Sequence, residues 1–394
     1  MKVSDVYAAA VCVLNTLCMV AATPITRDTT STSIAQTNGR LFTIGGKTEY
    51  FAGTNAWWLG QLNQDEDVEI AMSQIASSGL KVVRVWAFGA VNSPVGQTGV
   101  YYQVVNETLA PKNGSLINFS STNGIGRLDS AVKMAKKYGI QLVMVMLNNW
   151  SYPGGISIYN TAFGGTATSF FTDIKSQAAY RNYISFIVKR YKDSGAIFSW
   201  ELCNEPRCQG CNSSVITNWA SDTSAYIKSI DSRHMVAIGD EGWFYPPEGD
   251  GSYAYSGVQG VDFVKNIAIK TIDYATFHLY PDQWGYNFTW GSTWIEQHDA
   301  IGKMAGKPVV LEEYGSPYAN NHTAITQPWQ NTVVQSTSIA YDSEWQFATQ
   351  LPSGAYEADT YAIYFNTTTG SDYHVLFIQH AANMLAKRAV ANMK

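Results

Sequence analysis

Two carboxylate-bearing segments, Asn204-Glu205-Pro206 and Glu312-Glu313, stand where apolar, strand-like runs end. The first follows Ala196–Trp200, whose length suits a strand buried on both faces, and proline ends it because proline cannot donate a ladder hydrogen bond. Placing a carboxylate at a buried strand tip is costly without a partner. Two such groups facing each other could act as acid and as nucleophile or base. A structural alternative for Glu205 is capping the next helix or pairing with Arg207.

The spacing limits which glutamates can reach a common site. Side chains alternate along a strand, so we expect only one of Glu312 and Glu313 to face inward. Glu201 and Glu205 share parity, and Glu205 lies nearer the strand tip, which makes it the better candidate. For Asn204 to reach the site beside it, the backbone there must be irregular.

Further polar and aromatic side chains fall in or at the ends of the other predicted strands. They are Arg84, Asn148, Asn149, His278, Tyr280 and Trp345. His278 and Tyr280 are two apart and therefore share one face of a strand. Arg84 could hold a neighbouring carboxylate ionised, although alone it would be interpreted as the partner of a loop acid. Their joint placement suits glycoside hydrolysis, which uses a pair of carboxylates.

Strands and helices alternate along the chain, which predicts the frame that carries these groups. The predicted strands are Tyr50–Asn55, Val82–Phe88, Gln141–Leu147, Ala196–Trp200, His234–Gly239, Thr271–Tyr280, Lys307–Gly315 and Glu344–Thr349. Eight repeats predict an α/β fold, a (β/α)8 or TIM barrel, in which catalytic groups lie at the C-terminal strand ends. A doubly wound sheet is the alternative, but no Gly-rich phosphate turn follows an early strand.

Three segments are expected around this frame. Leu41–Ile44 and Lys47–Phe51 flank Gly45-Gly46, which predicts a small N-terminal β-hairpin that closes the bottom of the barrel or decorates an edge. Gly89–Asn123 is expected to be a surface excursion, and Phe377–Val390 a closing amphipathic helix. Residues 39–394 are thus predicted to form a single catalytic domain.

The first 38 residues are predicted to lie outside that domain. In residues 1–22, Lys2 precedes an apolar stretch and Val20-Ala21-Ala22 offers a cleavage site, which indicates a secretory signal peptide. A membrane anchor is the alternative, but Asn15 and Thr16 interrupt a run that is already short for a span. Residues 23–38 are rich in Thr and Ser and are expected to be a short flexible lead-in.

The composition limits the class of partner. The chain is 46% apolar and 14% charged, which is typical of a globular protein with a large core. Its net charge of −5, without a basic run, argues against a nucleic-acid partner. The 12 Trp and 24 Tyr favour sugar binding, because aromatic rings offer flat apolar faces with polar edges. No ligand cluster indicates a metal or another cofactor, and we expect a monomer with no membrane partner.

The cysteines and glycosylation motifs agree with export. Cys208 and Cys211 are close enough to form a disulfide in an oxidising compartment, with a zinc site as the competing interpretation, and Cys203 is left unpaired and buried. Seven N-x-Ser/Thr motifs predict a glycosylated, extracellular protein. They begin at Asn106, Asn113, Asn118, Asn212, Asn287, Asn321 and Asn366.

Several motifs together resemble glycoside hydrolase family 5, specifically the secreted fungal endo-β-1,4-mannanases, over nearly the whole mature chain. They are Gly53-Thr54-Asn55-Ala56-Trp57-Trp58, Val83-Arg84-Val85-Trp86, Asn148-Asn149-Trp150, Trp200-Glu201-Leu202-Cys203-Asn204-Glu205-Pro206-Arg207-Cys208, Gly239-Asp240-Glu241-Gly242, Phe277-His278-Leu279-Tyr280-Pro281-Asp282 and Glu312-Glu313-Tyr314-Gly315.

The resemblance implies a retaining mechanism on mannan, glucomannan or galactomannan, with Glu205 as acid/base and Glu313 as nucleophile. It also implies a set of substrate-binding residues. These are Arg84, Asn204, His278, Tyr280, Trp345, Trp58, Asn149, Trp150, Arg207, Glu241, Trp243 and Trp284. For each of the outer tryptophans, packing within a loop is the competing interpretation.

The sequence departs from that family after Trp345-Gln346, where the usual Trp-Gly-Asp continuation is absent, and in the loop after Tyr314-Gly315. Because these segments border the cleft, two other functions stay open. One is an exo-acting mannosidase or transglycosylase of the same family. The other is a mannan-binding protein that has lost catalysis, against which the intact pair of glutamates argues.

Overall fold

The computed structural model describes residues 33–96, 99–109, 114–152, 154–318, 321–355 and 359–387. The predicted signal peptide, most of the predicted lead-in, the motif at Asn113 and the last residues of the predicted closing helix lie outside these ranges. Within them, no helix combines the length and the apolar character needed to cross a bilayer.

Eight parallel strands form the central sheet. In chain order they are β1 Phe51–Asn55, β2 Val82–Trp86, β3 Gln141–Val145, β4 Ile197–Glu201, β5 Met235–Ala237, β6 Ala275–Leu279, β7 Val309–Tyr314 and β8 Tyr341–Glu344. The ladder runs β5-β4-β3-β2-β1-β8-β7-β6. Its two ends are joined where Asp273 N donates to Val236 O at 2.9 Å and His278 N donates to Glu241 O at 3.3 Å. This nearly closed ring confirms the predicted (β/α)8 barrel.

Helices alternate with these strands, as the apolar spacing predicts. The α-helices are Asp65–Ser77, Ile125–Tyr138, Ile156–Phe163, Ile174–Tyr191, Ser214–Ile230, Phe263–Ile267, Pro281–Trp284, Trp290–Ala305, His322–Ser336 and His380–Ala386. Local chemistry fixes several ends. Asp173 caps one helix by accepting a hydrogen bond from Ser176 N, and Gly139 ends another with a left-handed φ of 69°. A π-helix, His374–Gln379, runs into the final α-helix.

An N-terminal antiparallel sheet closes the bottom of the barrel. It comprises Gln36–Asn38, Leu41–Ile44 and Lys47–Glu49, so the predicted hairpin is confirmed, but the last three residues of the predicted flexible lead-in form its first strand. The ring of Phe42 is buried against Phe198 and Tyr274, with centroids 5.1 and 5.3 Å apart. The bottom is thus closed by packed aromatic rings, which leaves the C-terminal strand ends as the open face.

The segment Gly89–Asn123 is more ordered than a surface excursion. It contains the strands Ala90–Val91, Gln103–Val105 and Ser115–Ile117, which form one sheet. Gln103 is buried and donates to Ser115 Oγ at 2.7 Å and to Ala179 O at 3.1 Å. The bond to Ala179 holds the sheet against helix Ile174–Tyr191, and nothing in the local sequence pattern could reveal it.

The prediction of the eighth strand at Glu344–Thr349 was wrong. Strand β8 is Tyr341–Glu344, and Phe347–Ala348 pairs instead with Ile363–Tyr364 outside the barrel. In sequence, Tyr341–Glu344 looks too polar to be a buried strand because it contains Asp342. In the structure, Asp342 is buried and faces the surrounding helices. There its carboxylate bonds His380 Nε2 at 2.8 Å, a partner that is remote in sequence.

His298 links stability to pH. It is fully buried on helix Trp290–Ala305, and its ring stacks on Phe277 with centroids 4.1 Å apart. Burial lowers the pKa of His298 to about 4. The carbonyl oxygens of Trp294 and Gly242, which face its two ring nitrogens, oppose this shift. Between pH 6.5 and 4 the unfolded chain therefore binds a proton that the folded chain does not.

We therefore expect the free energy of unfolding to fall by about 3 kcal/mol through this group as the pH drops from 6.5 to 4. In His298→Phe the pH dependence of urea unfolding over this range should flatten, whatever the stability lost at neutral pH. Equal slopes in parent and His298→Phe would contradict the assignment.

Candidate active site

Glu205 is held at the open face by a strained turn after β4. Its φ is 51°, in the left-handed region that non-glycine residues rarely adopt. Backbone bonds fix the turn, with Glu205 N donating to Gly239 O at 2.8 Å and Asn149 N donating to Asn204 O at 3.0 Å. The irregular backbone that the sequence required is present, and both Asn204 and Glu205 line the cleft. Such strain at a strand tip is a frequent mark of a functional site.

The two oxygens of Glu205 have different partners. Oε1 lies 2.8 Å from Nδ1 of His278, and Oε2 accepts from the indole Nε1 of Trp150 at 2.5 Å. His278 is fully buried, and burial lowers its pKa, with Arg84 acting in the same direction and Glu313 opposing it. The imidazole beside Glu205 is therefore neutral near pH 7.

Glu313 lies opposite Glu205 at the end of β7. Tyr280 donates to its Oε2 at 3.0 Å, and Arg84 Nη1 forms an ion pair with its Oε1. Burial raises the pKa of Glu313, while His278, Arg84 and the hydrogen bond from Tyr280 lower it. A carboxylate oxygen of Glu313 lies within 4.8 Å of one of Glu205. Because Glu313 accepts from a guanidinium and a hydroxyl, it is the better placed of the two to carry negative charge.

The expectation that only one of Glu312 and Glu313 faces inward was wrong. The register of β7 against β6 shifts between Phe277 and His278, so that His278 pairs with Glu313 and Glu312 occupies a bulge. Glu312 Oε2 consequently lies 3.4 Å from Arg84 Nε. A bulge re-aims one side chain and breaks the alternation on which the expectation depended.

Arg84 connects the polar residues beneath the cleft and is fully buried on β2. It donates to both oxygens of Glu201 through Nε (3.0 Å) and Nη2 (2.5 Å), and to Asn204 Oδ1 through Nη2 at 2.8 Å. Its Nη1 donates to Glu313 Oε1 and, at 3.3 Å, to Asn55 Oδ1. All five N–H groups of the guanidinium are thus engaged. Sequence analysis missed Glu201 as the partner that orients Arg84.

The cleft has a volume of about 430 Å³ at the C-terminal strand ends. It contains nine of the predicted site residues. These are Trp150, Asn204, Glu205, Arg207, Glu241, Tyr280, Trp284, Glu313 and Trp345. Arg84 and His278 lie directly beneath it, bonded to the two glutamates. Asn148, which ends the third predicted strand, also lines it.

Other lining residues were missed by sequence analysis. They are Trp57, Trp86, Tyr152, Tyr253, Gln283, Asp359 and Tyr361. Trp86 could have been found, since it lies two residues after Arg84 and so shares its face of β2. Asp359 and Tyr361 come from the atypical C-terminal segment, where no motif marks them. Asp359 accepts from Trp345 Nε1 at 2.9 Å and so braces that ring.

Arg207 forms one wall of the cleft. It binds Glu241 through two parallel bonds, from Nε at 2.6 Å and from Nη2 at 2.5 Å. Its guanidinium lies over the rings of Trp150 and Trp243, 4.8 and 5.7 Å from their centroids. Burial raises the pKa of Glu241, as does Glu205, while Arg207 opposes the shift. The alternative that Arg207 pairs with Glu205 is therefore not realised.

Besides Arg84 and His278, three predicted substrate-binding residues do not line the cleft. Trp58 is fully buried and stacks on Phe347, because the 3-10 turn Trp57–Gln61 points Trp57 outward and Trp58 inward. Trp243 is buried behind the wall, with its centroid 4.4 Å from that of Trp284. Asn149 accepts from Arg207 N at 3.4 Å, so it holds a loop. For Trp58 and Trp243 the competing interpretation, packing, is correct.

The cysteines pair as predicted, with Cys208 bonded to Cys211 and Cys203 free and buried. Among the described residues, the ligand atoms of Glu205, His278 and Glu313 are spaced closely enough for a metal ion. However, Trp150 already donates to Glu205, Tyr280 and Arg84 donate to Glu313, and a guanidinium at this position disfavours a cation. The arrangement is therefore that of a hydrogen-bonded carboxylate pair.

Comparison with known proteins identifies the family. The family described as GH family 5 beta-mannosidase-like matches residues 32–344. Mannan endo-1,4-beta-mannosidase A of Aspergillus aculeatus is 46% identical over 358 residues, which cover 91% of this chain and 92% of the relative. The protein of the same name from Hypocrea jecorina is 43% identical over 339 residues, which cover 86% of this chain and 76% of the relative.

A solved structure agrees with both the fold and the family. The endo-1,4-beta-mannanase of Rhizomucor miehei superposes with a TM-score of 0.81 at 36% identity, covering 90% of this chain and 100% of that one. The endo-beta-1,4-mannanase of Thermotoga petrophila superposes with a TM-score of 0.75 at 31% identity, covering 88% of this chain and 79% of that one. This chain belongs to glycoside hydrolase family 5, in its β-mannosidase-like group, and is a glycoside hydrolase.

Proposed function

We propose that this protein is a retaining endo-β-1,4-mannanase that cuts internal bonds of mannan, glucomannan or galactomannan. The observation that carries the mechanism is the spacing of Glu205 and Glu313, whose nearest carboxylate oxygens lie within 4.8 Å. Retaining glycosidases hold the two carboxyl groups about 5–5.5 Å apart, whereas inverting ones need about 6.5–9.5 Å to admit a water molecule. The relatives' names supply the substrate and the endo action.

In the first step, Glu205 donates its proton to the glycosidic oxygen while Glu313 attacks the anomeric carbon. The bond to the leaving sugar breaks, and a covalent glycosyl ester forms on Glu313. In the second step, Glu205, now a carboxylate, takes a proton from water, whose oxygen attacks the same carbon and releases Glu313. The bonds from Arg84 and Tyr280 keep Glu313 ionised and oriented before its attack, and they stabilise the carboxylate again when the ester is cleaved.

The cleft positions the sugar chain around this pair. Asn204 is oriented by Arg84 and by its own bond to Asn148 Oδ1 at 3.0 Å, which supports a role in bonding the 2-hydroxyl of the sugar under attack. Trp345 offers a platform beneath that sugar. Arg207 and Trp150 form the wall on the leaving-group side, where an indole and a guanidinium can contact a pyranose.

The direct test is incubation with galactomannan, measuring reducing ends, viscosity and product sizes over time. We expect viscosity to fall early and mixed oligosaccharides to accumulate. Early monomer or dimer without loss of viscosity would indicate exo action instead. No reducing ends from galactomannan, together with cleavage of carboxymethylcellulose, would refute the proposal.

We expect substitution of Trp57 to affect substrate binding and substitution of its neighbour Trp58 to affect stability. Trp57 lines the cleft, so Trp57→Ala should raise KM for mannan oligosaccharides by about 5- to 10-fold, the loss of roughly 1 kcal/mol of ring contact, with stability nearly unchanged. Trp58 is fully buried, so Trp58→Ala should cost about 3–5 kcal/mol of stability. Kinetics and urea unfolding of both variants check this, and similar effects in both would contradict the distinction.

We further propose that the protein is secreted and acts as a glycosylated monomer on extracellular polysaccharide. The apolar N-terminal stretch with its cleavage site and the Cys208–Cys211 disulfide support export. Mass spectrometry of protein from the culture medium, before and after deglycosylation, tests the cleavage after residue 22 and the glycan load. An unprocessed N-terminus would contradict the export route.

A further inference from the structure

Glu312 is a buried carboxyl group that the two-glutamate mechanism does not use. It is fully buried in the bulge of β7, and neither of its oxygens accepts a hydrogen bond from any described residue. Its Oε2 faces Nε2 of His278 at 3.5 Å, and that nitrogen likewise has no bond within the described ranges. Two unpaired polar atoms, both buried and facing each other beside the active site, call for a physical explanation.

A shortage of positive charge around Glu312 favours the protonated form of its carboxyl group. Arg84 has every N–H group engaged elsewhere, so it leaves no donor for Glu312, which also lies near the carboxyl groups of Glu201 and Glu313. Burial raises the pKa of Glu312 well above its ordinary value, Glu201 and Glu313 add to this, and Arg84 opposes it. Since Glu201 is held by two bonds to Arg84, Glu312 is the carboxyl group that carries the proton.

The other titratable groups around Glu312 come from several elements. They are Arg84 on β2, Glu201 on β4, Tyr274 before β6, His278 on β6, Glu313 on β7 and Tyr341 on β8. Tyr274 and Tyr341 have pKa values raised by burial, so they are neutral at any working pH. Their neutrality leaves the carboxyl groups, Arg84 and His278 to decide where the protons lie.

The two ring nitrogens of His278 have different surroundings. Nδ1 faces two carboxyl oxygens, that of Glu205 at 2.8 Å and that of Glu313 at 3.5 Å, whereas Nε2 faces only Glu312 among the carboxyl groups of the described residues. During catalysis Glu313 is a carboxylate, so a lone pair on Nδ1 would be repelled there and an N–H is favoured. A neutral imidazole with its proton on Nδ1 has an acceptor at Nε2, which a protonated Glu312 can satisfy.

We propose that Glu312 is a positioning residue that acts as a neutral acid, donating to Nε2 of His278 and thereby fixing the His278 tautomer that donates from Nδ1 to Glu205. This proposal goes beyond the retaining mechanism and rests on it. Oε1 of Glu205 then accepts from His278 in both steps, whether Glu205 is acid or carboxylate. The transferred proton is assigned to Oε2, the oxygen that also accepts from Trp150.

Two variants of nearly equal volume separate this role from packing. Glu312→Gln keeps an N–H that can donate to Nε2, whereas Glu312→Met fills the space without a donor. We expect the Gln variant to keep kcat within about 3-fold of the parent, and the Met variant to lose on the order of 10²-fold in kcat with little change in KM. Because an amide cannot ionise, the Gln variant should also retain activity to higher pH than the parent.

The tautomer itself gives a readout that does not depend on activity. The ¹⁵N shifts of the His278 ring, assigned by the signal that is lost in His278→Asn, should show a protonated Nδ1 in the parent and in Glu312→Gln. A parent ring protonated on Nε2 would overturn the proposal even if the protein degrades mannan. An unchanged kcat in a folded Glu312→Met would overturn it as well. A protonated Nδ1 in a protein without mannanase activity would instead refute the proposed function.

Discussion

Glu313→Gln is expected to lose on the order of 10⁵-fold in kcat on mannan, the scale seen when the nucleophile of a hydrolase is removed. The amide cannot form the glycosyl ester, yet it keeps the shape of the side chain: its oxygen can still accept from Arg84, and its NH2 group can donate to the hydroxyl oxygen of Tyr280. Stability should therefore be close to that of the parent. Initial rates on mannan oligosaccharides and urea unfolding measure the two effects separately.

The exposed Glu107, which pairs with Lys175 on the surface, offers a matched control. Glu107→Gln makes the same chemical change and should leave kcat within about 2-fold. A 2-fluoro-mannosyl fluoride should also label the parent on the peptide that carries Glu313, since the fluorine slows hydrolysis of the ester. Labelling of another carboxylate, or a Glu313→Gln variant of near-parent rate, would show that Glu313 is not the nucleophile.

Glu205→Gln is expected to lose on the order of 10³-fold on mannan, within the range that general acid catalysis contributes. Formation of the glycosyl-enzyme from an aryl β-mannoside with a dinitrophenolate leaving group should be much less affected, because that group departs without a proton. Pre-steady-state release of the phenolate isolates this step, and a burst should appear because the second step still lacks its base.

The contrast between the two substrates is what assigns Glu205 its role. Equal losses on mannan and on the activated mannoside would indicate that Glu205 only binds the sugar. Trp150→Phe provides a graded comparison, since it removes the indole donor to Glu205 Oε2 and keeps an aromatic ring. We expect it to lower kcat by about 10-fold, which is less than Glu205→Gln.

Much of the site could be predicted because strand ends in a parallel barrel converge at one face. Asn204, Glu205, His278, Tyr280 and the Glu312-Glu313 pair were found in this way, and the family resemblance selected Glu313 from that pair. The structure places the five selected residues at or directly beneath the cleft. The argument needed only the ends of buried runs, which apolar pattern and proline locate well. The irregular backbone at Asn204-Glu205 also followed from the need to present two adjacent side chains, and the φ of 51° shows how that need is met.

Other features escaped because they depend on contacts between remote segments. Strand β8 was misplaced because Asp342 makes this core strand look polar in the sequence. The buried carboxylate is compensated by His380, which is remote along the chain. Trp57 and Trp58 are indistinguishable in sequence, and only the 3-10 turn decides which ring faces the cleft. Asp359 reaches Trp345 from a segment without a motif.

The sequence by itself determined the barrel and its open face, and with the family resemblance it predicted the glutamate pair, because periodicity, strand ends and motif order are local properties of the chain. The tertiary structure alone decided the bulge at Glu312, since register between β6 and β7 is set by packing around the whole ring. That one shift brings a second glutamate under the cleft, against Arg84 and His278. Proton placement in the site depends on these long-range distances, which no local pattern encodes.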